Sequence, residues 1–102
     1  MVTDSRVEIL QRLRTIEGHL KAVIEMTETG RPCEQILHQL NAVQSGLRVA
    51  AIRLILCQAE CSQAIILDSS SSKKRIAELT RLQSLYSILL YYFNHPREVI
   101  NE

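Results

Sequence analysis

The sequence predicts an all-α fold, a three-helix protomer whose central helix is far longer than the other two. Three observations predict it. Apolar residues recur in steps of three and four along most of the chain, which is helical spacing. Prolines and clustered breakers fall in only three places: Gly30 to Pro32, the serine run from Ser69 to Ser72, and Pro96. Strand signals are almost absent. A length of 102 residues bounds the chain to one domain at most.

Helix one is expected over about residues 4–29. Thr3 or Asp4 suits its N-cap. Val7, Leu10, Leu13, Ile16, Leu20, Val23, Ile24 and Met26 form one apolar stripe. Gly30 and Pro32 then make a Gly–Pro exit. Helix two is expected over about residues 33–67, because no proline follows Pro32 until Pro96. Ile36, Leu37, Leu40, Val43, Leu47, Ala50, Ala51, Leu54 and then Cys57 or Cys61 carry its period. Unbroken, it spans about 50 Å, far more than a typical globular helix. Ser45 and Gly46 soften its middle, the glycine at a cost of about 1 kcal/mol. Helix one cannot cover so long an element, which predicts an antiparallel partner helix from a second copy.

Helix three is expected over about residues 73–94, capped by Asp68 or one of the serines that follow. Lys73, Lys74 and Arg75 open it with the wrong sign for the helix dipole, which suits solvent or an anionic partner. Its stripe is Ile76, Leu79, Leu82, Leu85, Tyr86, Leu89 and Phe93, and His95–Pro96 ends it.

Composition narrows the function classes. No run of 18 apolar residues occurs, so no membrane span is expected. The opening MVTDSRVEIL lacks the basic start and apolar core of a signal peptide, so the expected location is cytoplasmic. The net charge is +1, from 12 basic and 11 acidic residues, and the first fifty residues carry six of each. Bulk charge is therefore no nucleic-acid signature; any DNA contact must come from how the charges are arranged. No paired acid and base, Gly-rich loop or activated nucleophile beyond the thiols points to an enzyme.

The chemistry lies in three cysteines. In a reducing compartment an odd number argues against a disulfide framework and for metal ligands or reactive thiols. Cys57 and Cys61 are four apart and share one helix face, a spacing at which two side chains can hold one ion. Cys33 lies 24 residues before Cys57, about 36 Å along a continuous helix. One protomer cannot bring the three together, but an antiparallel dimer sets the start of one long helix beside the far end of its partner. Cys33 of one chain then meets Cys57 and Cys61 of the other in a three-thiolate site suited to Cu(I) or Zn(II). A buried cysteine is often only a small apolar side chain; the pairing at four residues with a third thiol at a helix start favours function. A thiol at a helix N-terminus is also the most reactive kind. His38, one turn past Cys33, is a candidate supporting residue, whereas His19 is expected to be solvated.

Two segments carry a family resemblance: Arg12-Leu-Arg-Thr-Ile-Glu-Gly-His19 and Cys33-Glu-Gln-Ile-Leu-His-Gln-Leu-Asn-Ala-Val43. Together they resemble the small helical repressors of the CsoR/RcnR family, related to the copper-sensitive operon repressor and the nickel/cobalt repressor. The likeness covers roughly residues 5–67 well and helix three loosely. It implies an antiparallel dimer forming a four-helix bundle, a dimer of dimers, and operator DNA released when an effector binds across the dimer interface. It further implies a Cu(I) effector, with Zn(II) or Ni(II) as other ions, or none for thiol-sensing members.

Carried over residue by residue, the resemblance puts Arg12 and Arg14 at basic DNA-contacting positions. Gln44 stands where a basic residue often follows Ala-Val, and Arg48, one turn on, substitutes. Glu78 matches, loosely, an acid that supports the metal ligands. The usual ligand positions 25 and 29 residues after the first cysteine hold Gln58 and Ser62, and Cys57 and Cys61 each sit one residue earlier. One residue turns a side chain by about 100° on a helix, so the standard site is altered unless a local bulge restores it.

Three readings follow. The first is a metal-responsive DNA-binding repressor with Cys33, Cys57 and Cys61 as ligands, His38 and Glu78 as supporting residues, and Arg12, Arg14 and Arg48 on DNA. The second is a repressor of the same family that senses an oxidant, persulfide or electrophile through Cys33. The third is a helical oligomerisation module without DNA binding, which the near-neutral charge, Gln44, Gln58 and Ser62 favour. In each the partner is a second copy, as a homodimer or homotetramer, and no membrane is involved.

Overall fold

The structure, a computed structural model, describes residues 2–94, with side-chain surroundings over residues 5–91. Three α-helices follow one another, α1 (Val2–Glu28), α2 (Cys33–Asp68) and α3 (Ser72–Asn94), and no strand occurs among the described residues. The fold is all-α with one long central helix. α1 begins at Val2, ahead of Thr3 and Asp4, so neither is the cap that the sequence leads one to expect; the side chain of Phe93 and the stop at His95–Pro96 lie outside the described residues.

Backbone chemistry accounts for both breaks. At the end of α1, Gly30 takes a positive φ of 74°, which glycine adopts without a Cβ penalty. Its N–H donates to the Thr27 carbonyl and that of Arg31 to the Met26 carbonyl, the paired bonds of a Schellman cap. Two residues on, the Pro32 carbonyl accepts the N–H groups of Gln35 and Ile36. Pro32 thus stands at the N-cap position, its carbonyl accepting the first bonds of the helix, and Cys33 becomes the first residue of α2. Between α2 and α3 the serines do the work. Ser69 Oγ accepts the Ser71 N–H, and Ser71 Oγ accepts the Lys74 N–H as an N-cap. The Arg75 guanidinium donates back to the Ser69 carbonyl at 2.7 Å.

The chain forms two compact units, Met1–Leu54 and Ile55–Glu102, and the boundary falls inside α2. In the first unit the fully buried side chains of α1 are Ile9 and Val23, with half-buried Ile16 midway between them. On α2 they are Val43 and Ala50. Spacings of seven make a narrow seam of the kind two packed helices share. Gly46 lies on that seam: a Cβ there would stand 3.1 Å from both Cδ1 and Cγ1 of Ile16. The glycine is therefore a close-approach point between α1 and α2, a use that its helix propensity does not reveal.

In the second unit Ile55, Cys57 and Ser62 are buried on α2, while Leu82, Leu85 and Leu89 of α3 are half-buried.

The broad stripe expected on α1 is only partly covered. Ile9, absent from that stripe, is buried, whereas Val7, Leu10, Leu13, Leu20 and Ile24 stay exposed. Leu37, Leu47 and Leu54 on α2 and Ile76, Leu79 and Tyr86 on α3 are likewise open. One chain covers the centre of each apolar face and leaves its flank bare.

The average apolarity of α2 stands beside the absence of an unbroken apolar run in it. By length and composition alone α2 passes for a membrane-crossing helix, a test that the core helix of a helical bundle also passes.

Candidate functional site

Each cysteine meets a different environment. Cys33, at the first position of α2, is exposed. Cys61 is half-buried, and Cys57 is enclosed, at 2% exposure. None forms a disulfide. Within the chain, no group of three or more His, Cys, Asp and Glu side chains comes together to hold a metal among the described residues. His38 is exposed on the first turns of α2.

Next to the paired cysteines runs a polar chain that the sequence did not announce. Gln58 Nε2–H donates to Ser62 Oγ at 3.0 Å, and the Ser62 hydroxyl donates to Glu78 Oε1 at 3.2 Å. Ser62 is completely buried. A buried hydroxyl is costly unless bonded on both sides, and here it is. Gln58 and Ser62 are one turn apart on α2, and Glu78 reaches them from α3. The residues that departed from the family pattern thus form a bonded group with the one acid that matched it. The polar type at three helix-compatible spacings was visible in the sequence; the pairing of α2 with α3 that joins them was not.

The arginines expected on DNA lie on the first unit. Arg14 and Arg48 are exposed, and Arg12 is half-buried. Arg12 Nε–H donates to Glu8 Oε1 at 3.3 Å, the helical i,i+4 pair that the sequence suggests. The same Glu8 oxygen lies 3.0 Å from Arg53 Nη1, so one carboxylate bridges an arginine of α1 and one of α2. Arg53 was not singled out from sequence, because its link to Glu8 is made only when the two helices pack. His19 corrects an expectation: it is half-buried rather than solvated, and its Nε2–H donates to Gln39 Oε1 at 2.6 Å across the α1–α2 seam. Glu8, Arg12, His19 and Gly46 line an open groove of about 500 Å³.

The described residues define a small all-helical chain with one thiol at the start of its long helix, two more a turn apart further along, and arginines on its first two helices. Comparison with known proteins makes the assignment specific. The family model described as metal-sensitive transcriptional repressor matches residues 5–84. The chain belongs to that family, whose members regulate transcription rather than catalyse reactions.

Its curated relatives include the copper-sensing transcriptional repressor CsoR of Mycobacterium ulcerans, 38% identical over 68 residues, covering 66% of this chain and 58% of that protein. The protein of the same name from Bacillus subtilis is 33% identical over 72 residues, 71% of each chain. The copper-sensing repressor RicR of Mycobacterium tuberculosis is 34% identical over 53 residues, 52% of this chain and 55% of that protein. The match thus spans less than two thirds of the first and last of these. No solved structure matches the chain significantly.

Proposed function

We propose that this chain is a metal-responsive repressor that binds operator DNA in the cytoplasm as a homodimer or homotetramer. It releases the DNA when an effector joins sulfurs of two protomers. The observation that supports this most is α2, one unbroken helix with an exposed thiol at its first residue and two more a turn apart near its end. In an antiparallel pair of α2 helices, Cys33 of one protomer comes beside Cys57 and Cys61 of its partner. The bare leucines at positions 37, 47 and 54 offer the apolar surface for that pairing.

The donor set fits a soft cation: three thiols, with Cys33 and Cys61 accessible and Cys57 joining only after its side chain rearranges. Thiolates favour Cu(I), then Zn(II), with Ni(II) least suited. A bound ion would supply bonds to both chains, and the protein's own residues do the rest. Arg12, Arg14 and Arg48 neutralise DNA phosphates. His38 stands one turn from Cys33. Glu78 holds Ser62, the residue after Cys61, so that a shift of this part of α2 is passed to α3. Relief of repression is then coupling between two sites through one conformational equilibrium.

One observation favours a second reading. Where the family pattern places further ligands, this chain has the closed Gln58–Ser62–Glu78 group, while Cys33 remains exposed. A hydroperoxide would oxidise the Cys33 thiolate to a sulfenic acid. The partner's thiol at position 61 would then displace water from it to give a disulfide. A persulfide or an electrophile would act at the same sulfur.

A single set of experiments separates the readings. Reduced protein is tested for mobility shift on the duplex upstream of its own gene, alone, with Cu(I), and with peroxide. The metal reading expects release at about one Cu(I) per protomer, and no release from Cys33→Ala, which still binds DNA. Release by peroxide alone, with a Cys33–Cys61 crosslink by mass spectrometry, replaces it with the thiol reading. A wild-type protein that never shifts the duplex leaves only the helical oligomerisation module.

A further inference from the structure

The Arg12–Glu8–Arg53 bridge points to a DNA contact and a restraint on it that no sequence pattern marks. We propose that Arg53 and Arg12 form a two-guanidinium clamp for one DNA phosphate, and that Glu8 guards it. The inference rests on the DNA-binding reading above and adds to it one contact residue and one opposing residue.

The geometry carries the argument. Glu8 Oε1 lies 3.3 Å from Arg12 Nε and 3.0 Å from Arg53 Nη1, and all three side chains are 41–48% exposed. The bonds are made on a surface that a large ligand can reach. A guanidinium has five N–H donors, and the bridge uses one from each arginine. The remaining donors stay open, on two planar groups held by a common oxygen. Two guanidinium groups fixed in one place are the arrangement that matches phosphate oxygens. The cluster carries one net positive charge and gains little stability from its exposed ion pairs.

Glu8 has the opposite effect on DNA. It already satisfies the two cations, and its own charge repels phosphate. A phosphate must compete with it, which lowers affinity for DNA in general. Removing that charge therefore strengthens binding to any duplex, whereas removing Arg53 weakens it.

The test compares four proteins, wild type, Arg53→Ala, Glu8→Gln and Arg81→Ala, on the duplex upstream of the gene and on a random duplex of equal length. Salt is varied from about 50 to 200 mM. Arg81 is an exposed α3 arginine in the other unit and controls for loss of charge alone. Each neutralised phosphate contributes about 0.9 to the slope of log affinity against log salt. Arg53→Ala should bind about five- to tenfold more weakly at about 0.1 M salt, with a slope smaller by about one. Glu8→Gln should bind both duplexes several-fold more tightly. Circular dichroism melting confirms that each variant folds. If wild type binds and Arg53→Ala matches it in affinity and slope, or matches Arg81→Ala, the clamp is wrong and the DNA-binding reading stands. If Glu8→Gln binds no tighter, its guarding role is wrong. If wild type binds neither duplex, both readings fall together.

Discussion

At the scale of single residues, three thiols of one chemical type are divided by burial. Reaction with a small aromatic disulfide under native conditions should follow exposure, with Cys33 fastest, Cys61 slower and Cys57 slowest. Stopped-flow traces on the three single Cys→Ala variants would assign the phases, and a fast Cys57 would contradict the enclosure described above. Ser62 offers a second check. Replacing it with Ala leaves the Gln58 amide and Glu78 carboxylate without their shared hydroxyl, which should cost about 1–3 kcal/mol. A urea midpoint unchanged from wild type would mean that the polar chain contributes nothing to folding.

The sequence exposed the cysteines, the arginines of α1 and the odd polar residues at 58 and 62. It did not expose which of these touch. Ser62 to Glu78 and Glu8 to Arg53 both join different helices, and helical spacing is silent about partners from another element. His19 failed for the same reason: its polar neighbours in sequence are solvated, while its partner Gln39 lies on α2.

Among the elements, helix number and order were legible because breakers cluster at only a few points and each has a backbone job. Gly30 supplies a positive φ, Pro32 the carbonyl that accepts the first bonds of α2, and Ser71 a cap. Burial was less legible. A stripe at steps of three and four is wider than the seam that one neighbouring helix can cover, so pattern alone could not separate Ile9 from Leu10. Gly46 was read as a weak point in α2, and the packing gives it a different role. Gly46→Ala gains about 1 kcal/mol in helix propensity but crowds Ile16 at 3.1 Å, and overpacking of this kind costs about 1–3 kcal/mol. The expected outcome is a net loss of about 1 kcal/mol in thermal or urea unfolding. Pairing it with Ile16→Val, which removes the crowded Cδ1, should recover much of that loss. A stabilised Gly46→Ala single variant would show that Ile16 moves aside freely.

For the whole molecule, the bare apolar flanks on all three helices are the dominant fact. Leu10, Leu13, Leu20 and Ile24 on α1, and Leu37, Leu47 and Leu54 on α2, are too many to leave in water on a small protein. Sedimentation at micromolar concentration should give a dimer or larger species, and Leu47→Glu should shift it toward monomer with loss of helix content. A monomeric wild type would remove the basis for any site shared between protomers. The family assignment was legible from two short segments, because they combine a basic first helix with a cysteine at the start of a long second one. The effector was not, because Gln58 and Ser62 stand at the two positions where the family pattern expects ligands.

The unequal shelter of the sulfurs also makes the protein convenient to tag. A maleimide fluorophore added at less than one equivalent should settle almost entirely on Cys33. The dye would then sit at the first turn of the long helix, clear of the seam between α1 and α2. Changes in its emission would follow what happens at that end of the protein in real time, without a single engineered residue.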